Sequence, residues 1–383
     1  MDKKRRIKYI DLCKGLGILM VTWGHITKLD NPVDTWAASF KMAIFFVAAG
    51  YLIRYADSYQ TQTLKGYSVK LLKSLMLPYV LFSILSIGFR FATMIMKHRI
   101  DIPAIKSYIL ATITLRGTFA LWFLPVLFIA EILFFCLIKY LPKWVRIVIL
   151  IVIPVFGIWE SYFIRHLIAS VDPLTFERIS FLILPISKAL IALWFLEIGH
   201  IGCMLFSKVT YKEIRFMIGL VFTIGNIFLS QQNIGVDLNN ISLGIHPPLF
   251  FVTGIIGSFG ALFVFEFLED YVSFTILNYF GKNSLILMCT QRPFYIISTA
   301  TAGWKIISGM PGIMAWRYYI DCLGAMILVL IIEYSIITFV NTKAKFLIQR
   351  RICIGTYRRT LIQRPSRPCR GGKCYRPETP VLD

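Results

Sequence analysis

Long unbroken apolar runs constrain this chain more than any other feature. Ten of them recur along the 383 residues, each about 17–25 residues long, the length a helix needs to cross a hydrocarbon core. A soluble helix would interrupt such a run with polar residues at helical spacing, and a half-buried strand would alternate. The spans read as 10–27, 39–55, 71–96, 119–138 and 145–164, then 179–206, 214–230, 248–267, 274–299 and 318–340. The expected fold class is therefore an all-α integral membrane protein with about ten transmembrane helices. The expected domain division is a transmembrane domain over 1–345 and a basic tail over 346–383.

Composition agrees and narrows the function classes. Charged residues make up 16% of the chain and hydrophobic ones 57%, against about 25% charged in soluble domains. The formal net charge of +21 does not point to nucleic acid, which would need one coherent basic patch. Here Lys and Arg gather at the ends of apolar runs, where they set orientation in a bilayer. The lipid bilayer is the expected partner, and no nucleic acid is. Five cysteines (Cys13, Cys136, Cys203, Cys289 and Cys322) lie inside apolar runs and no CxxC pair occurs, so neither a disulfide framework nor a metal site is expected. GxSxG, Walker and HExxH motifs are absent as well, which removes the common soluble hydrolase, NTPase and zincin classes.

Loop charges predict both termini on the cytoplasmic side of the cell membrane. That side then receives Lys3, Lys4, Arg5, Arg6 and Lys8, followed by Arg54, Lys65, Lys70, Lys73, Lys139, Lys143 and Arg146. The opposite side includes segment 231–247, which has no Lys or Arg. Loop 97–116 is the exception, with Lys97, Arg99, Lys106 and Arg116; its middle, 102–115, reads as an interfacial helix. The tail 350–383 is basic and poor in apolar residues, a composition associated with disorder. No internal repeat supports a transporter built from inverted repeats.

Ionisable groups at membrane depth are costly and mark function by default. Asp11, Lys14 and His25 stand together in IDLCKGLGILMVTWGH. The eleven-residue step from Lys14 to His25 returns to nearly the same helix face, about 16 Å along the axis. One stripe carries both, yet they cannot serve the same reacting atom. A structural alternative exists for each: a hydrogen-bonded neutral histidine, and an interfacial Asp11–Lys14 pair. Lys70 and Lys73 lie one turn apart in KLLKSLMLPY, where phosphates, lipid headgroups or orientation would each account for them. Trp122 in LWFLP fits an interfacial tryptophan. Glu131, Lys188, Glu197, His200 and Glu333 also fall in apolar runs, where some should neutralise one another between helices. Segment 231–247 gathers Gln231, Gln232, Asn233, Asp237, Asn239 and Asn240, amides and a carboxylate able to match sugar hydroxyls or simply to build turns.

Taken together, the segments IKYIDLCKGLGILMVTWGHI, FKMAIFFVAAGYLI, KLLKSLMLPY, LWFLPVLF and YFGKNSLILMC resemble the acyltransferase-3 family of bacterial membrane acyltransferases. The similarity covers roughly 7–345, and the opening is most like the fucose 4-O-acetylase branch. The resemblance implies transfer of an acyl group, usually acetyl from acetyl-CoA, to a hydroxyl of a cell-surface or lipid-linked glycan, without a metal. By the same resemblance His25 is the catalytic histidine, with Asp11 in the opening motif. Lys14, Lys70 and Lys73 would meet coenzyme A phosphates, and Trp122 and Asn283 would face the saccharide, to which the polar segment 231–247 adds Asp237 by its own chemistry. Two positions depart from the pattern: Gln291 stands where many members carry histidine, and Ala49 where they carry serine. A flippase for lipid-linked glycans and an inactive relative are the competing classes.

Overall fold

The computed structural model describes residues 7–27, 31–309 and 315–348. Residues 3–6 and the basic tail from Arg350 lie outside the described residues. The chain begins with α1 (Lys8–Ile26), α2 (Pro32–Phe40), α3 (Ala43–Tyr55), a single turn α4 (Ser58–Thr61) and α5 (Leu64–Leu71). It continues through α6 (Leu77–Met96), α7 (Ile102–Ile113), α8 (Phe123–Tyr140), α9 (Lys143–Ser170), α10 (Pro173–Phe206) and α11 (Lys212–Ser230). A hairpin of β1 (Val236–Asp237) and β2 (Ser242–Leu243) precedes α12 (Pro247–Leu268). The last helices are α13 (Thr275–Lys282), α14 (Ser284–Thr290), α15 (Ile296–Ser308) and α16 (Ala315–Thr342).

Among the described residues, eight helical stretches are long and apolar enough to cross a membrane: Pro32–Tyr55, Leu64–Met96, Phe119–Tyr140, Lys143–Ser170, Pro173–Phe206, Lys212–Ser230, Pro247–Leu268 and Trp316–Thr342. They match eight of the expected spans. The protein is an all-α multi-pass membrane protein. The other two expected spans need qualification. Helix α1 has the length, 19 residues, but Asp11, Lys14 and His25 make it too polar to stand among the eight. The span expected at 274–299 is not one helix. It breaks at Asn283 and again over Gln291–Tyr295, where Pro293 supplies no backbone donor and Tyr295 takes a left-handed φ of 58°. Apolarity reports membrane depth and is blind to such breaks.

Helices meet closely where side chains are smallest, as lipid-embedded packing requires. Helix α3 crosses α10 with Gly50 against the Leu196 carbonyl and Gly199 against the Val47 carbonyl, and a Cβ at either glycine would overlap that oxygen. At the start of α1, Gly281 of α13 sits against the Asp11 carbonyl, so the GKNSL segment and the opening segment touch backbone to backbone.

Buried polar groups are paired across helices, which keeps their desolvation from being fatal. Arg146 donates to Glu197 through Nε at 2.9 Å and lies 3.1 Å from His200 Nδ1. Glu131 accepts from Tyr67 at 2.7 Å, and both oxygens of Glu333 accept from Thr290 at 2.9 and 2.8 Å. Between α5 and α6 the chain winds through a π-helical stretch, Leu72–Met76, a distortion frequent at functional sites. A helix does occupy the segment 102–115: α7, capped by Asp101, whose Oδ1 accepts from the Ala104 N–H at 3.0 Å.

Candidate functional site

His25 occupies the last turn of α1 and is half-buried. The chain reversal after α14 brings Arg292 to it, with Arg292 Nη1 3.5 Å from His25 Nδ1. That separation is long for a hydrogen bond and does not fix the tautomer. It does set a guanidinium beside the imidazole. One turn earlier on the same face of α1, Thr22 Oγ1 donates to Gln291 Oε1 at 2.8 Å. Gln291 is fully buried, and its Nε2 has no hydrogen-bond partner among the described residues. The position that departs from the family pattern is thus one turn from His25, with a spare donor. Lys41 closes the other side: a Cβ on Gly24 would lie 2.6 Å from its Nζ and 3.0 Å from Asp34 Oδ1.

Aromatic and cationic groups extend the site away from α1. The Phe119 ring has the Arg90 guanidinium 3.8 Å from its centroid and Arg292 at 6.0 Å. Arg90, though buried, donates to Tyr295 Oη at 2.8 Å and to the Arg292 carbonyl at 3.1 Å. Trp122 is buried just beyond, and Lys188 Nζ stands 4.6 Å from its ring centroid. Behind Phe119 a cavity of about 160 Å³ is lined by Ser107, Tyr108, Arg116, Thr118, Asn239 and Asn240 among others. Burial holds the Arg116 guanidinium below its ordinary value, with the Glu177 carboxylate opposing. Gly117, at φ 70°, packs against the Trp122 backbone where any Cβ would collide, so the turn that aims Trp122 and Phe119 requires glycine.

The remaining expected residues fall elsewhere. Asp11 is buried in the first turn of α1 and Lys14 follows one turn on, half-buried. Asp11 is fourteen residues before His25, about 21 Å along the axis, so it cannot share a reacting atom with the histidine. A larger cavity of about 520 Å³ opens beside this end of α1. Lys8 and Lys282 line it together with Glu269, Asp270, Asn278 and Tyr279; the expected trio Lys14, Lys70 and Lys73 does not. Lys70 and exposed Lys73 belong to the α5–π stretch, which packs on α8. Asn283 is tied into the scaffold: Nδ2 donates to the Tyr279 carbonyl at 2.8 Å and Oδ1 accepts from Asn341 at 3.0 Å. Asp237 is exposed, and its carboxylate accepts from the Asn239 N–H at 3.0 Å and from Asn240 Nδ2 at 2.8 Å. It shapes the hairpin that presents Asn239 and Asn240. In these positions Asn283 and Asp237 hold backbone and neighbouring amides.

Three residues at the heart of the site escaped the sequence reading: Arg90, Phe119 and Arg292. Arg90 carried a signal, since it interrupts an apolar run just as His25 does. Arg292 carried the same signal, since it falls within the expected span 274–299; Phe119 carried none, because an aromatic residue is ordinary at the edge of a span.

Two comparisons were silent: no curated protein and no solved structure matches the chain. The third was not. The family model described as an acyltransferase domain matches residues 7–337 of the 383, taking in α1, the broken α13–α15 segment and nearly all of α16. With that match over the whole helical bundle, the chain belongs to the acyltransferase-3 family of membrane acyltransferases.

Proposed function

We propose that the protein moves an acyl group, most simply acetyl, from acyl-coenzyme A to a hydroxyl of a cell-surface or lipid-linked saccharide. The observation that carries the reading is α1 itself. One helix holds Asp11 and Lys14 at one end and His25 against Arg292 at the other, in a chain of acyltransferase ancestry. An extended pantetheine arm is comparable in length to that separation. Coenzyme A enters at the Lys14 end, where Lys8 and Lys282 line the larger cavity and add cationic partners for its phosphates. Lys70 and Lys73 remain candidates for the nucleotide portion. With the N-terminus cytoplasmic, this end faces the cytoplasmic donor pool.

A sugar hydroxyl is a poor nucleophile until it loses its proton. His25 takes that proton as general base while the oxygen forms its bond to the thioester carbonyl carbon. The carbonyl oxygen becomes an oxyanion, which the Arg292 guanidinium beside His25 stabilises. Collapse breaks the carbon–sulfur bond. The coenzyme A thiolate leaves and recovers the proton from His25, so the enzyme ends as it began. Trp122 packs behind the acceptor side and holds Lys188 in place.

The test is mass spectrometry of surface glycans from cells expressing wild-type protein or His25→Gln at matched membrane levels. Glutamine keeps hydrogen bonding and loses basicity. Acylated glycan should vanish with the variant. Wild-type acylation by well-inserted His25→Gln protein would overturn the assignment.

A further inference from the structure

The cavity behind Phe119 is built unlike a neutral-sugar site. Its wall combines hydroxyls of Ser107, Tyr108 and Thr118, amides of Asn239 and Asn240, and the Arg116 guanidinium. Thr118 is buried, and its hydroxyl has no hydrogen-bond partner among the described residues. Asn239 is backed by Lys188, whose Nζ donates to its Oδ1 at 3.2 Å. Lys188 is fully buried and forms no ion pair among the described residues; its other neighbour is the Trp122 ring. An ammonium taken from water is normally compensated by a carboxylate. Here the direct contacts are an amide oxygen and an aromatic face. Glu177, which accepts from Ser107, and Asp237, which accepts from the hairpin amides, act on Arg116 and Lys188 at longer range, and neither closes an ion pair with them among the described residues. Arg90 and Arg292 add positive charge across Phe119.

We propose that this cavity is the acceptor subsite, and that it selects saccharides carrying negative charge, seated between Arg116 and the Lys188–Asn239 pair. The charge is a uronic carboxylate or a phosphate ester; both present oxygens that a guanidinium and an ammonium bind alike. Phe119, which lines the cavity, also has Arg292, the neighbour of His25, 6.0 Å from its ring centroid. The proposal rests on the acyl-transfer reading for its role but not for its chemistry, since binding is measured without any donor.

The experiment uses the full chain in phosphatidylcholine nanodiscs and saturation-transfer NMR with three probes: methyl β-glucoside, methyl β-glucuronide and glucose 1-phosphate. At least one anionic probe should bind with a Kd roughly tenfold or more below that of the glucoside. Preference for the glucuronide assigns the carboxylate as the source, and preference for the phosphate assigns the ester. Arg116→Gln, on a half-buried loop, and Lys188→Met, an apolar replacement in an apolar helix, should each erase most of that preference. Monodisperse elution of both variants guards against misfolding, and Arg116→Gln alone suffices if Lys188→Met does not fold. Equal binding of all three probes, no saturable anionic binding, or an anion preference that survives Arg116→Gln overturns the proposal. A protein that shows the preference yet transfers no acyl group would refute the enzymatic reading and leave this one standing.

Discussion

At the scale of single residues, the contact between His25 and Arg292 joins a proton acceptor to a fixed positive charge. In the proposed reaction the first serves the attacking hydroxyl, and the second the oxyanion that appears only as the thioester carbonyl is attacked. Removing a general base costs typically ~10²–10⁴-fold, so His25→Gln should reduce transfer by that order while leaving membrane insertion intact. Arg292→Gln should cost about 10²–10³-fold in kcat, the range for losing one oxyanion donor, with KM for the donor little changed. Arg292→Lys should recover part of the loss, since charge returns without the planar fork; steady-state kinetics on purified protein separates these outcomes. His25 could be found from sequence because a histidine in an apolar run is conspicuous. Its partner could not. Arg292 stands 267 residues away, and although it too interrupts an expected span, only the fold brings the two together.

Among elements, the α3–α10 crossing decides how tightly the bundle closes. Gly50 and Gly199 each place backbone against a carbonyl of the opposite helix, and neither contact is with a flexible side-chain tip that could yield. Gly50→Ala should therefore destabilise the protein by about 1–3 kcal/mol, the usual penalty of overpacking, and the double variant with Gly199→Ala by more. Thermal unfolding followed by size-exclusion fluorescence would show it as an earlier transition. An unchanged transition in the double variant would mean that the helices do not approach this closely. Apolar length located α3 and α10 in the sequence because membrane depth imposes it. The crossing point stayed hidden, since twenty-five glycines are distributed along the chain and only packing shows which ones meet a neighbour. The broken α13–α15 segment was hidden for a related reason. Its break at Asn283 is held by Asn341 from α16, a partner that no local pattern reveals.

For the molecule as a whole, the proposed function predicts a reaction that spans the membrane, with donor admitted at one face and acceptor at the other. The larger cavity, lined by Lys8 and Lys282, lies at the start of α1, while His25, Arg292 and the Arg116 cavity gather at its far end. Loop charge predicts the first end on the cytoplasmic side. Sealed vesicles prepared in opposite orientations test this directly. Radiolabelled acetyl-CoA, which does not cross a bilayer, should label glycan only when added to inside-out vesicles. A cysteine introduced at Asn239, in a protein freed of its native cysteines, should react with an impermeant maleimide only in right-side-out vesicles. Lys282→Glu should raise the donor requirement several-fold in the inside-out preparation, because a carboxylate in the cavity repels phosphate. It should leave labelling at position 239 unchanged. Donor use from the same face that exposes residue 239 would contradict a path along α1 and place both substrates on one side of the bundle.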